Sequence, residues 1–335
     1  FCELDSACAT LGAATRMRAS KDDCVFLSAR REHEVEETGE VFERRTGFSF
    51  SLLPEEVMVC TGVDKLIRHN LASGYSGKPG FLGESLKRAG VPSRVINASD
   101  RSDLQASLAC LLAMDETGKV IIASNTDVWT SEDYDFEKGT STETVEKKDG
   151  ESAHLNDFKG LTVVGFTDIL TAVEDEAHMS KEISKKSLDD AYARLDALLT
   201  SLFSVFGEPS STTVYILVSS TSIYQLTGVG NELASLLIIG GGFERGLLKS
   251  ATTRQEGVVA NVDLAPTVTT LLGAPQAWRV QGRPMYCVNT DKSTFILEKN
   301  VHLLNFSWKT RVVFLGTLIA ISVLGVMLSF ILLLV

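Results

Sequence analysis

TTRQEGVVANVDLAPTVTTLLGAPQAWRVQGRPM, residues 252–285, is the stretch on which the fold reading turns. GVVANV (257–262) has the apolar, β-branched texture of a strand. Asp263 then stands where a helix N-cap belongs, and LAPTVTTLLG follows as a short apolar helix. Pro266 falls in its first turn, where backbone N–H groups have no intrahelical acceptor to lose.

The same rhythm extends upstream. EVMVC (56–60), SRVIN (93–97), KVIIAS (119–124), LTVVGF (161–166), TTVYILVSS (212–220) and ELASLLIIG (232–240) read as strands. Helices are expected at GFLGESLKRAG (80–90), with Gly90 as its C-terminal cap, and at LQASLACLLAM (104–114). A long helix over 188–206 places Leu188, Tyr192, Leu195, Leu199, Leu202 and Phe206 on one stripe, with Ser187 and Asp190 as a capping box. The ARREHEVEETGEVFERRTG stretch near the N-terminus suggests an exposed helix laced with ion pairs. Residues 130–159 are polar and nearly free of aliphatic residues, which predicts a long loop. Alternating strands and helices imply a sheet covered by helices.

The chain of 335 residues carries 43 acidic against 32 basic residues, a formal net charge of -11. That surplus argues against a nucleic-acid partner, whose footprint is a basic stripe, and against a polybasic grip on anionic lipid. The six cysteines form no CxxC pair and no Cys/His zinc spacing. They read as buried or free thiols, with disulfides permitted by the even count. Residues 312–335, VVFLGTLIAISVLGVMLSFILLLV, contain no charge and no proline. As a helix this run is about 36 Å long, enough to cross a hydrocarbon core of about 30 Å. It predicts a transmembrane helix, with 301–311 as a juxtamembrane segment.

The 252–285 unit, with its Asp-x-Ala-Pro-Thr helix start, Leu-Gly end and Gly-x-Pro turn, resembles the closing strand–helix unit of the alkaline-phosphatase and sulfatase superfamily. GKPGFLGESLKRAGVPSRVINASD (77–100), LLAMDETGKV (111–120), VVGFTDI (163–169) and ARLDALLTSLF (193–203) resemble, in order, bacterial membrane proteins that carry such a domain ahead of several membrane helices. The resemblance implies an α/β fold with an alkaline-phosphatase-like sheet over residues 1–300. It also implies a nucleophile strand before Phe1 and further membrane helices after Val335. Trp308-Lys309-Thr310-Arg311 would place the domain in the cytoplasm on the positive-inside rule. The relatives place it outside, and an extracytoplasmic membrane location is the expectation adopted.

The superfamily works through two divalent ions, zinc, magnesium or manganese, held by Asp and His. Where its Asp-His-Gly ligand set follows the strand TVYILVSS, this chain has Ser219-Ser220-Thr221-Ser222. All five histidines, His33, His69, His154, His178 and His302, lie outside 211–275, where another ligand belongs. The candidates that remain are Asp168, after a strand and the one possible metal ligand, and Thr253 with Arg254, a pair suited to an anion. Asp263 reads as a cap, and Gly240-Gly241-Gly242 as a tight turn. Asn97 and Asp100, after a strand, could line a cleft.

The expectation is a membrane-anchored domain without catalysis or cofactor, acting as a binding or assembly module at the cell envelope. Its partners would be the bilayer and other membrane or envelope proteins. The alternative is a divergent metal-dependent phosphatase, sulfatase or phosphotransferase.

Overall fold

A computed structural model describes residues 4–20, 23–28, 32–33, 36–48, 57–75, 77–97, 102–121, 134–135, 140–141, 158–220, 233–290 and 293–334, with the backbone alone at 27, 28, 32, 33, 36–38, 97, 102–107, 121, 134, 135, 140, 141, 293, 308, 309, 312, 328 and 331–334. The chain opens with α1 (Leu4–Ala13), a helix of small residues buried from Ala7 to Ala13. A helix apolar all round must be enclosed, and α1 forms the wall between two cores. On one side Cys8, Ala9 and Ala13 join Phe42, Val59, Leu66, Cys110 and Met114. On the other, Leu11 and Ala14 join Phe81, Leu82, Leu86, Leu264 and Val268.

The first half of the chain continues with β1 (Phe26–Ser28), β2 (Glu32–His33), β3 (Glu36–Glu37), α2 (Thr38–Thr46), β4 (Val57–Cys60), α3 (Val63–Ala72), α4 (Phe81–Arg88), β5 (Ser93–Asn97), α5 (Ser102–Ala113) and β6 (Lys119–Ile121). The second half adds β7 (Tyr134–Asp135), β8 (Thr140–Ser141), β9 (Leu161–Gly165), α6 (Asp168–Glu174), α7 (Lys181–Phe206), β10 (Tyr215–Val218), β11 (Leu236–Ile239), β12 (Leu247–Ser250), α8 (Leu264–Leu271), β13 (Met285–Val288) and α9 (Ser293–Leu334).

The expected alkaline-phosphatase-like sheet is not what the strands make. Among the described residues they pair as one three-stranded sheet, β1-β4-β6, and otherwise in twos. The three-stranded sheet is antiparallel throughout, β5 and β9 run parallel, and β10-β11 and β12-β13 are antiparallel. Helix α5 packs on β1, on β5 and on β9. GVVANV is not a strand. Its end, Asn261–Asp263, is a 3₁₀ turn, closed by the Asp263 carboxylate, which accepts the Ala260 N–H at 3.0 Å.

Individual elements follow local rules. Helix α4 ends in a Schellman motif: the Val91 N–H donates to Leu86 O at 2.9 Å and the Gly90 N–H to Lys87 O at 3.1 Å, with Gly90 at φ 67. Helix α7 starts about two turns earlier than its pattern suggests, at Lys181, capped by Ser180 rather than Ser187. Its buried side chains are Ala191, Leu198 and Leu202, whereas Tyr192 is 47% exposed. In the N-terminal charged stretch, a helix forms only over Thr38–Thr46. Most of the polar 130–159 stretch lies outside the described residues. Cys8, Cys24, Cys60 and Cys110 are buried, and burial pushes the Cys60 thiol up to about 12, which leaves it protonated and unreactive.

Helix α9 runs 42 residues without a break, from Ser293 through the expected juxtamembrane residues. Among the described residues, however, no helix is long and apolar enough to cross a membrane. The expected transmembrane helix at 312–335, and the membrane and extracytoplasmic location drawn from it, are corrected on this finding.

A charge network joins α4 to the α5–β6 turn. Asp115 Oδ1 accepts from the Thr117 N–H (2.8 Å), the Thr117 hydroxyl (2.6 Å) and the Lys119 N–H (3.1 Å). Lys87 Nζ sits 2.7 Å from Oδ2. Burial alone would raise this carboxyl, but the Lys87 and Thr117 hydrogen bonds outweigh it and hold Asp115 below its ordinary 3.8. A carboxylate depressed on folding stabilises above its unfolded pKa and loses that contribution as pH falls through the folded one. Unfolding free energy should therefore drop between about pH 4 and lower pH, and less steeply in Asp115→Asn. Urea titrations at pH 6 and pH 3 measure both slopes. Identical drops in parent and variant would refute the assignment.

Candidate functional site

Asp168, Thr253 and Arg254 lie at separate places in the structure. Asp168, 9% exposed, opens α6 and receives Arg194 Nε from α7 at 2.5 Å, so its carboxylate is already matched by a cation. The Thr253 hydroxyl donates to Val258 O at 2.5 Å. Arg254 is exposed, with φ 58, at the tip of the turn after β12. No hydrogen bond or ion pair joins Asp168 to either of them. Asp263, wholly buried, accepts four hydrogen bonds and ties the β12 turn to the approach to β13. Gly240, Gly241 and Gly242 all have positive φ, as a tight turn requires. Asp100, Thr221, Ser222 and the side chain of Asn97 lie outside the described residues. Among the described residues no group of three or more His, Cys, Asp or Glu is placed to hold a metal ion.

The structure assembles a different surface. After α1 the chain extends through TRMRAS (15–20) with strand-like alternation: Arg16 and Arg18 are exposed, Met17 and Ala19 buried. No strand pairs with this segment; side chains from two helices do. The Arg18 N–H donates to Asn70 Oδ1 at 2.7 Å, and Asn70 Nδ2 donates back to Arg18 O at 2.7 Å. On the other edge, Ser6 Oγ both donates to Ala19 O and accepts from its N–H at 3.0 Å. The Met17 N–H donates to Thr10 Oγ1 at 3.0 Å. Buried Asn70 thus stands in for a neighbouring strand, and the segment is pinned with both arginines outward.

Both arginines converge on Tyr75, just beyond α3. The guanidinium carbon of Arg16 lies 4.8 Å from the ring centroid and that of Arg18 5.4 Å, within range of cation–π attraction. Alongside, Asp23 is 1% exposed and gathers three donors. Ser20 Oγ donates at 2.7 Å, Lys65 Nζ sits at 2.9 Å, and His69 Nδ1 at 3.2 Å. Burial would raise the Asp23 carboxyl, but hydrogen bonds from Lys65, Ser20 and His69 hold it below its ordinary value. An ionised Asp23 accepts the Nδ1–H of His69, which leaves Nε2 toward the half-exposed outer side.

The result is a ledge on which Arg16 and Arg18 of the extended segment stand near Lys65 and His69 of α3. The buried carboxylate of Asp23 positions Lys65 and His69, while no carboxylate among the described residues pairs with Arg16 or Arg18. On a chain of net charge -11 such a local excess of positive charge is an attractive field for anions. Its signal in the sequence was the Arg-Met-Arg alternation of residues 16–18, a strand-like exposure pattern. The asparagine that pins it lies 52 residues away. Comparison of the chain with protein-family models, with curated proteins and with solved structures finds no match.

Proposed function

We propose that this chain is a binding module, without catalysis of its own, that receives an anionic partner on the Arg16–Arg18–Lys65–His69 ledge. The observation that carries this reading is the pair of arginines held at one tyrosine ring on a side-chain-pinned segment, with no carboxylate among the described residues to neutralise them. Two guanidinium groups held near each other repel, and an incoming anion relieves that repulsion. Each arginine offers a planar fork of donors suited to oxyanions.

Titration with a hexaglutamate peptide and with tripolyphosphate, followed through the His69 and Tyr75 NMR signals, tests this. Binding should weaken between 50 and 200 mM salt, as expected for an exposed charged surface. The double variant Arg16→Ala/Arg18→Ala should lose roughly 100-fold in affinity, from charge-assisted hydrogen bonds of about 1.5–3 kcal/mol each. Its melting temperature should stay close to the parent's, because both side chains are exposed. If neither polyanion binds, or the double variant binds as the parent does, the proposal fails.

A further inference from the structure

We infer that the group received at Arg16 and Arg18 is a phosphate dianion, free or as a monoester; this rests on the binding-module reading above. Three observations narrow the ligand. The backbone of residues 17–19 cannot be the recognition element. Its N–H groups are taken by Thr10, Asn70 and Ser6, and the Arg18 and Ala19 carbonyls by Asn70 and Ser6, so no extended peptide can add to either edge. Recognition falls to side chains alone.

The two guanidinium groups, moreover, stand on the same face of the extended segment and share one ring, their carbons 4.8 and 5.4 Å from its centroid. Convergent cations suit one compact anion better than carboxylates spread along a peptide. Among the described residues the Tyr75 hydroxyl makes no hydrogen bond, so it adds a donor at the same place. A carboxylate brings one charge and two oxygens. A phosphate monoester brings about -1.5 to -2 and three acceptor oxygens, enough for both arginine forks and a hydroxyl.

Isothermal titration of the whole chain with inorganic phosphate, phosphoserine, O-sulfoserine, aspartate and hexaglutamate decides the matter. Phosphate or phosphoserine should bind at least tenfold more tightly than sulfoserine or aspartate. A tighter phosphoserine assigns the ester, and equal affinities assign the free ion. Arg16→Lys and Arg18→Lys retain charge but lose the fork, and each should weaken phosphate by about fivefold or more. Tyr75→Phe should weaken it with no loss of fold. Sulfoserine or aspartate binding as tightly as phosphate would overturn the inference, as would lysine variants equal to the parent. In those cases retained hexaglutamate binding would leave the module reading intact. Failure of every anion would remove both.

Discussion

Replacing Asp263 by alanine should lower the unfolding free energy by about 4 kcal/mol, the largest effect expected of any single side chain in this protein. Its carboxylate accepts from Ser250 Oγ (2.7 Å), Thr252 Oγ1 (2.5 Å), the Ala260 N–H (3.0 Å) and the Arg283 N–H (2.9 Å). Its own carbonyl accepts the Thr267 hydroxyl at 2.6 Å, and Thr267 Oγ1 accepts the Met285 N–H at 2.9 Å. One buried group therefore fastens the β12 turn, the start of α8 and the approach to β13. Alanine would take the shared acceptor from four donors, two of them backbone, of which Ser250 is wholly buried. An unsatisfied buried donor costs about 1–3 kcal/mol, with partial relaxation reducing the total. Asp263→Asn keeps one acceptor oxygen but turns an amide toward the remaining donors, so about half the loss is expected. Guanidinium unfolding at neutral pH measures both variants. A loss below about 1 kcal/mol for alanine would show that the clamp is dispensable.

Gly83→Ala is the second large effect, on the order of 3 kcal/mol, and its sign opposes helix propensity. Gly83 lies inside α4, where alanine is usually worth up to about 1 kcal/mol more than glycine. A methyl group here, however, would overlap the backbone of Ala113 and Met114 at the end of α5. Helix α5 is itself enclosed in the first core, so it cannot retreat without opening packed volume. Gly90, seven residues on, makes a control. It has φ 67 and nothing within 4 Å of an added Cβ, so Gly90→Ala should cost about 1 kcal/mol through left-handed backbone alone. Thermal unfolding should place Gly83→Ala several degrees below Gly90→Ala. The reverse order would contradict the close approach of α4 to α5.

Those two glycines mark how far local reading carries. GFLGESLKRAG is a helix closed by Gly90, as its pattern predicts, because capping depends on residues within one turn. LQASLACLLAM and LAPTVTTLLG are also helices where expected. Strand partners were not legible. A four-residue apolar run such as VMVC reads the same whether its neighbour is parallel or antiparallel, and here both its neighbours are antiparallel. The apolar sequence GVVANV turns in 3₁₀ form at its end because the nearby carboxylate of Asp263 offers its backbone a better acceptor than a sheet would.

The candidate site divides the same way. Asp168 follows a strand, as functional groups in α/β folds often do, yet an arginine 26 residues later neutralises it. By itself the sequence determined which short segments are helical, where they stop, and that the chain is acidic with no zinc-type cysteine spacing. Those properties come from periodicity, capping and composition, each settled within a turn or by simple counting. Only the tertiary structure decided which strands pair, which acids are matched by cations, and that Arg16 and Arg18 face outward at Tyr75. Each of these depends on groups brought together from distant positions, Asn70 against Arg18 and Lys65 and His69 against Asp23, and no local pattern records such meetings.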